Sequence, residues 1–132
     1  MLRFLTAGES HGQGLVVIVE DQPSIRRIMQ RNLENTGLNV VSAGTAEEAL
    51  TLVEELDARV DLLVTDVVLP GMSGVKLADA LRQRLPDLRV LLCSGFMGND
   101  QDPGITIDAR TEFLPKPFTG EDLARKATAL FA

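Results

Sequence analysis

At 132 residues, with 45% apolar and 24% charged side chains, the chain has the length and composition of one globular domain, not of a disordered segment. Its 13 Lys and Arg against 19 Asp and Glu leave a formal net charge of −6, which argues against a nucleic-acid-binding surface and against attraction to an anionic membrane. A single Cys rules out an internal disulfide, no apolar run approaches the ~18 residues of a bilayer span, and the N-terminus lacks the apolar stretch of a secretory signal, so a cytoplasmic location is expected.

Residues 1–14 stand apart, with Gly8, Gly12, Gly14 and His11 and no strand or helix period. We separate them as a leader, 1–14, from a domain over 15–132. Leu15–Val19 is a continuous branched apolar run ending in Glu20-Asp21, the pattern of a strand covered on both faces. Pro23 suits the first turn of a helix whose Ile25, Ile28, Met29 and Leu33 point inward, with Arg26, Arg27, Gln30 and Arg31 opposite and Gly37 as the stop. Val40–Ala43 is a second strand. Thr45 and Glu48 form a capping box for a helix with Ala46, Ala49, Leu50, Val53 and Leu56 inward. Val60–Thr65 is a third strand, ending at Asp66. Residues 70–74 (Pro-Gly-Met-Ser-Gly) are a loop, and Ser73 caps a helix carrying Leu77, Ala78, Leu81 and Leu85, closed by Pro86. Leu88–Cys93 is a fourth strand, ending at Ser94-Gly95. Residues 97–111, broken by Gly98, Asn99, Pro103 and Gly104, predict a short or irregular fourth helix. Glu112–Pro115 is a brief fifth strand, and Thr119 with Asp122 opens a last helix bearing Leu123, Ala127, Leu130 and Phe131.

Five strand–helix alternations predict an α/β fold, a doubly wound, mostly parallel sheet with helices on both faces. In such sheets ligands bind beyond the carboxyl ends of the strands. Those ends carry Glu20 and Asp21, Asp66, Ser94, and Lys116 between two prolines. Carboxylates gathered there repel one another by about 4 kcal/mol per pair at ~4 Å and an effective dielectric near 20. A hard divalent cation with oxygen ligands offsets that repulsion, and Lys116 adds a further positive charge. An Asp beside Mg2+ and Lys is a suitable nucleophile towards phosphorus, with Ser94 and backbone N–H groups as donors to the phosphoryl oxygens.

Residues 17–21 (Val-Ile-Val-Glu-Asp), 64–74 (Val-Thr-Asp-Val-Val-Leu-Pro-Gly-Met-Ser-Gly), 93–95 (Cys-Ser-Gly) and 113–118 (Phe-Leu-Pro-Lys-Pro-Phe) together resemble the receiver domain of two-component response regulators. The resemblance runs from about Leu15 to Phe131. It implies a five-stranded, flavodoxin-like sheet of order 2-1-3-4-5. It further implies Asp66 as the phosphoacceptor, and Glu20, Asp21, Asp66 and the backbone carbonyl of Val68 as the ligands of Mg2+ (or Mn2+). Ser94 and Lys116 match the residues that grip the phosphoryl group. Ser94 and Phe113 match the switch that couples the site to a face formed by the fourth helix, the fifth strand and the last helix. The Lys116–Pro117 peptide is expected to be cis. The implied partners are a histidine kinase or phosphotransfer domain as donor and downstream effector or kinase domains as readers, with no nucleic acid or membrane bound directly; a homodimer through the switch face stays open. In the family the residues two after the phosphoacceptor and two after the strand-four hydroxyl, here Val68 and Phe96, modulate attack of water on the phosphate; both are apolar, which implies slow self-dephosphorylation.

Three positions depart from the common family pattern: Glu20 stands where many members have Asp, Ser94 replaces Thr, and Phe113 replaces Tyr and so lacks a hydroxyl. The surroundings of Asp66 and the Ser-Gly-Phe ending of strand four are most similar to receivers of hybrid sensor kinases. With no effector domain after Ala132, a stand-alone receiver or one excised from a larger kinase is expected. The leader, Met1 to Gly12, resembles the start of chorismate synthase, a flavin-dependent enzyme whose Gly-Glu-Ser-His-Gly segment supplies an active-site His. Nothing downstream matches that enzyme, so the leader is expected to be an expression-derived or fused segment without a catalytic role. An aspartate-nucleophile phosphatase needs Asp-x-Asp, but Val67 and Val68 follow Asp66. A flavin site lacks its usual stacking aromatics in a chain with no Trp and no Tyr. The alternative kept is a phosphorylation-independent interaction module of receiver fold. The expectation is therefore not an enzyme but a phosphorelay receiver that supports only its own phosphorylation and dephosphorylation.

Overall fold

The computed structural model describes residues 14–56, 60–94 and 110–131. Within them the order is β1 (Leu15–Val19), α1 (Pro23–Glu34), β2 (Asn39–Ala43), α2 (Ala46–Leu56), β3 (Leu62–Asp66), α3 (Gly74–Arg84), β4 (Arg89–Ser94), β5 (Thr111–Pro115) and α4 (Gly120–Ala129). All four strand pairings are parallel and the sheet order is β2-β1-β3-β4-β5, the doubly wound arrangement expected.

Strand alternation sorts the apolar residues into two cores. Val17 and Val19 of β1, Leu63 of β3 and Val90 and Leu92 of β4 meet Ala49 and Val53 of α2 and Leu77 and Leu81 of α3. Val16 and Ile18, Leu62 and Val64, Leu91 and Cys93, and Leu114 meet Met29 and Leu33 of α1 and Leu123 and Ala127 of α4. Every residue of β1 and of β3 is therefore buried, which is why β1 reads as an unbroken apolar run and β3 as one up to Val64. Each large aliphatic side chain so buried contributes about 1.5–3 kcal/mol.

The helix ends follow their sequence signals. Pro23 stands at the start of α1, and Gly37, at φ 95°, ends the turn that follows it by donating its N–H to Glu34 O at 3.0 Å. Ser73 Oγ accepts from Lys76 N, and Thr119 and Asp122 form a reciprocal capping box at 3.0 and 3.1 Å. The box predicted at Thr45–Glu48 is displaced: Glu48 N donates to Thr45 Oγ1, but the Glu48 carboxylate reaches back to Gly44 N. Strand limits move by a residue or two, with Val60 buried ahead of β3 and Asp61 already pairing through its backbone with Leu15 and Arg89. Ile28, expected inward, is 58% exposed, while Arg26, expected opposite the apolar face, is half-buried. The leader up to residue 13 and nearly all of the irregular helix predicted over 97–111 lie outside the described residues, as does Phe96. Among the described residues no helix is long and apolar enough to cross a membrane.

Candidate functional site

Because the strands are parallel, their carboxyl ends share one rim, and β1 and β3 are neighbours there. Val19 is in register with Thr65, Asp66 with Cys93, and Ser94 with Pro115. Glu20 and Asp21 leave β1, Asp66 closes β3, Ser94 closes β4 and Lys116 follows β5. The carboxylate oxygens of Glu20, Asp21 and Asp66 lie within 4.8 Å of one another. Lys116 Nζ is 2.7 Å from Asp66 Oδ1 and 3.9 Å from Glu20 Oε1. Glu20 and Asp66 are buried and Asp21 is exposed, so the cluster opens to solvent on the Asp21 side.

The electrostatics follow from that packing. Two full charges 4.8 Å apart repel by about 3.5 kcal/mol at an effective dielectric near 20. Burial first, and then the neighbouring Asp66 carboxylate, push the Glu20 carboxyl up to about 7, against the opposing effects of Gln22 N–H and Lys116. Burial alone would lower the Lys116 ammonium, but its hydrogen bond to Asp66 and the charges of Asp66 and Glu20 outweigh that and raise it. Burial pushes the Cys93 thiol up, so it stays protonated and serves as a small core residue. Glu20 Oε1 is fully buried without a hydrogen-bond partner. An orphaned buried oxygen among three carboxylates is a hard-oxygen donor set that fits a divalent cation.

Backbone contacts hold each group in place. Glu20 N donates to Ala43 O at 3.1 Å, Glu20 Oε2 accepts from Gln22 N at 3.2 Å, and the Glu20 carbonyl accepts from Arg26 Nη1 at 2.7 Å. The loop after β3 folds back on itself: Val67 N donates to Cys93 O, and Gly74 N donates to Val67 O at 2.8 Å. Gly74 packs directly on the Asp66 carbonyl, where a Cβ would collide with the backbone, and Gly71 takes φ +86° within the same loop. Lys116 N donates to Ser94 O at 2.7 Å, and the Lys116–Pro117 peptide is cis as expected.

Glu20, Asp21, Asp66 and Lys116, identified from strand ends, thus meet in one cluster. Ser94 is half-buried and joined to Lys116 through the backbone. Val68 lies on the β3–α3 loop with its side chain 72% exposed. Phe113 is half-buried on β5, against the core on the α2–α3 face. Two contributors were not singled out from the sequence for this site. Gly74 reads from the sequence only as a loop residue, since its close approach is to main chain. Arg26 was read as part of a solvated helix face.

Comparison with known proteins places this geometry in context. Residues 16–128 match the family model of the response regulator receiver domain. The chain is 37% identical over 118 residues to the sensor kinase CckA of Brucella abortus, covering 89% of this chain and 12% of that kinase. A crystal structure of the receiver domain of the hybrid histidine kinase CckA superposes with a TM-score of 0.75 at 31% identity, over 90% of this chain and all of that one (100%). The response regulator TrrA of Thermotoga maritima, solved in complex with Mg(2+)-BeF, superposes with a TM-score of 0.74 at 25% identity, over 89% of this chain and 99% of that chain. The chain belongs to the response regulator receiver domain family.

Proposed function

We propose that Asp66 accepts a phosphoryl group and that the domain, residues 15–132, works as a phosphorylation-switched module of two-component signalling, with the leader 1–14 outside it. The observation that carries this is the rim cluster itself: Asp66 Oδ1 at 2.7 Å from Lys116, with Glu20 and Asp21 alongside and Glu20 Oε1 orphaned. In the reaction an Asp66 oxygen attacks phosphorus in a donor's phosphohistidine. The P–N bond breaks, its electron pair leaves with the imidazole nitrogen, and an aspartyl phosphate remains. Glu20, Asp21, Asp66 and the Val68 carbonyl would hold Mg2+ or Mn2+. When bound, the cation supplies neutralising charge to the phosphoryl oxygens. Lys116 Nζ pairs with Asp66 beforehand and turns to a phosphoryl oxygen afterwards, and the Ser94 hydroxyl donates to another. Movement of Ser94 and Lys116 towards the phosphate would then pass through β4 and β5 to Phe113, which lies two register positions before the Ser94–Pro115 pair at the rim.

On this reading the donor is a histidine kinase or phosphotransfer domain, the readers are effector or kinase domains, the setting is cytoplasmic, and the chain catalyses only its own phosphorylation and dephosphorylation. The alternative, an interaction module indifferent to phosphate, gives no account of three mutually repelling carboxylates kept together. Intact mass after incubation with acetyl phosphate tests the reading, with Mg2+ and with chelator, on the native chain and on Asp66→Asn. A gain of one phosphoryl group that needs Mg2+ and vanishes in the variant is expected. No gain under any condition would overturn the proposal in favour of the phosphate-independent module.

A further inference from the structure

One side chain outside the acidic cluster is tied to it through the backbone. Arg26 stands in the first turn of α1, and its Nη1 donates to the Glu20 carbonyl oxygen at 2.7 Å. That carbonyl lies just beyond the last residue of β1 paired with β3, Val19 with Thr65. It is also the peptide unit that joins the two acidic residues, Glu20 and Asp21. Gly44 borders the guanidinium closely: a Cβ there would stand 3.0 Å from Arg26 Nη1, so the guanidinium would have to give way by a few tenths of an ångström. Glu48 Oε1 holds Gly44 N at 2.8 Å and lies 3.6 Å from that same point, so a carboxylate borders the same space.

We infer that Arg26 is a positioning residue for the Glu20–Asp21 pair, fixing the peptide that carries both carboxylates and so setting the cluster's affinity for a divalent cation. The inference rests on the metal-site reading above. Its sign distinguishes it from a simple effect of charge. A guanidinium near a cation site weakens binding by repulsion, so an Arg26 acting through charge alone would tighten binding when removed. An Arg26 that holds the ligands in place weakens binding when removed. Groups that orient metal ligands typically carry ~10–100-fold of metal affinity, and a clip acting through the backbone belongs near the lower end, about tenfold.

The experiment titrates Mn2+ into the whole chain without phosphodonor and reads free Mn2+ by electron paramagnetic resonance. Arg26→Met is expected to bind about tenfold more weakly than the native chain. Arg26→Lys, which keeps a donor and the charge, should recover most of that loss. Gly44→Ala, which crowds Nη1 without altering any charge, should weaken binding in the same direction. Metal-free melting confirms that each variant is folded; if Arg26→Met is not, Gly44→Ala and Arg26→Lys decide the question between them. Native-like or tighter binding in folded Arg26→Met, or native-like binding in Gly44→Ala should Arg26→Met not fold, overturns the inference while leaving the metal site intact. A native chain that takes up no Mn2+ overturns the metal-site reading, and this inference with it.

Discussion

Gly74→Ala probes the contact on which the position of Asp66 depends. A Cβ built at Gly74 falls well inside 3.0 Å of the Asp66 carbonyl oxygen, 2.9 Å from the carbonyl carbon and 3.1 Å from Thr65 Cγ2. Ordinary van der Waals contact begins at 3.4 Å, and the atoms in the way belong to the backbone of a central strand, which cannot rotate aside. The loop must therefore lift off β3 and loosen the 2.8 Å hydrogen bond from Gly74 N to Val67 O. Overpacking costs about 1–3 kcal/mol and the lost hydrogen bond about 0.5–1.5 kcal/mol. The stiffer unfolded chain returns about 0.4–1 kcal/mol. The net expectation is a loss of about 2 kcal/mol, read from urea unfolding followed by far-ultraviolet circular dichroism, together with slower phosphorylation of Asp66. Gly71→Ala is the comparison. At φ +86° it meets only Glu47 Oε2, at 3.4 Å, so its cost is the left-handed conformation alone, about 1–2 kcal/mol, with little effect on Asp66. A Gly74→Ala loss below about 0.5 kcal/mol, the size of an ordinary surface substitution, refutes the argument that the loop is wedged against the strand.

Two further outcomes follow from the site. Burial and Asp66 hold Glu20 at about 7 against an ordinary 4.5, so the metal-free folded chain keeps a proton that the unfolded chain has released. The stability this contributes is complete below the unfolded value and is lost as pH rises through the folded one. Urea midpoints measured without metal should fall between about pH 5 and about pH 8, and Glu20→Gln should remove part of that slope; a variant with an unchanged slope contradicts the assignment. Val68 is apolar and exposed beside Asp66 and has no group to orient a water, so Val68→Asn should speed loss of phosphate by about 2- to 10-fold, the worth of one hydrogen bond of ~0.5–1.4 kcal/mol. An unchanged half-life of the phosphorylated chain would show that water is not held from that side.

The sheet was legible because both its faces are covered: residues 15–19 and 62–64 are apolar without interruption, and the first acidic residue after each run, Glu20 and Asp66, marks the rim. Those endings, with the Lys between two prolines after β5, mark Glu20, Asp21, Asp66 and Lys116 as neighbours on one rim. The face of α1 was less legible. At roughly 100° per residue, Ile25, Met29 and Leu33 lie on one stripe, Arg26 falls about 20° beyond Leu33, and Ile28 falls on the other side. Counting Ile28 as inward tilted the predicted stripe away from Arg26, whose aliphatic stem and guanidinium are in fact turned towards the strand end. Polarity alone does not reveal a half-buried arginine whose partner is a main-chain carbonyl, since nothing in the sequence marks which carbonyl it reaches. Gly74 was unreadable for a related reason: the close approach is to backbone, and backbone leaves no residue-type signature at the other end of the contact.

The placement of charge in this fold depends on register. Side chains on a strand alternate with a period of two, so a slip of one residue in β3 would carry Asp66 away from Glu20 and move Leu63 and Val64 to the wrong cores. The two cores penalise that slip by the burial of every residue from Leu62 to Asp66. They also offset the repulsion at the rim, since a carboxylate pair at about 3.5 kcal/mol costs roughly what one or two buried aliphatic side chains contribute. The apolar strands thus do two things with the same residues. They fix where the carboxylates stand, and they supply the stability that lets three of them stand close together with one lysine. Weakening the core beneath the rim, as Ile18→Ala would, should therefore lower stability without altering the spacing of the acids until the strand itself gives way. Removing Lys116 should do the reverse, leaving the cores intact while Asp66 and Glu20 lose the ammonium that pairs with both.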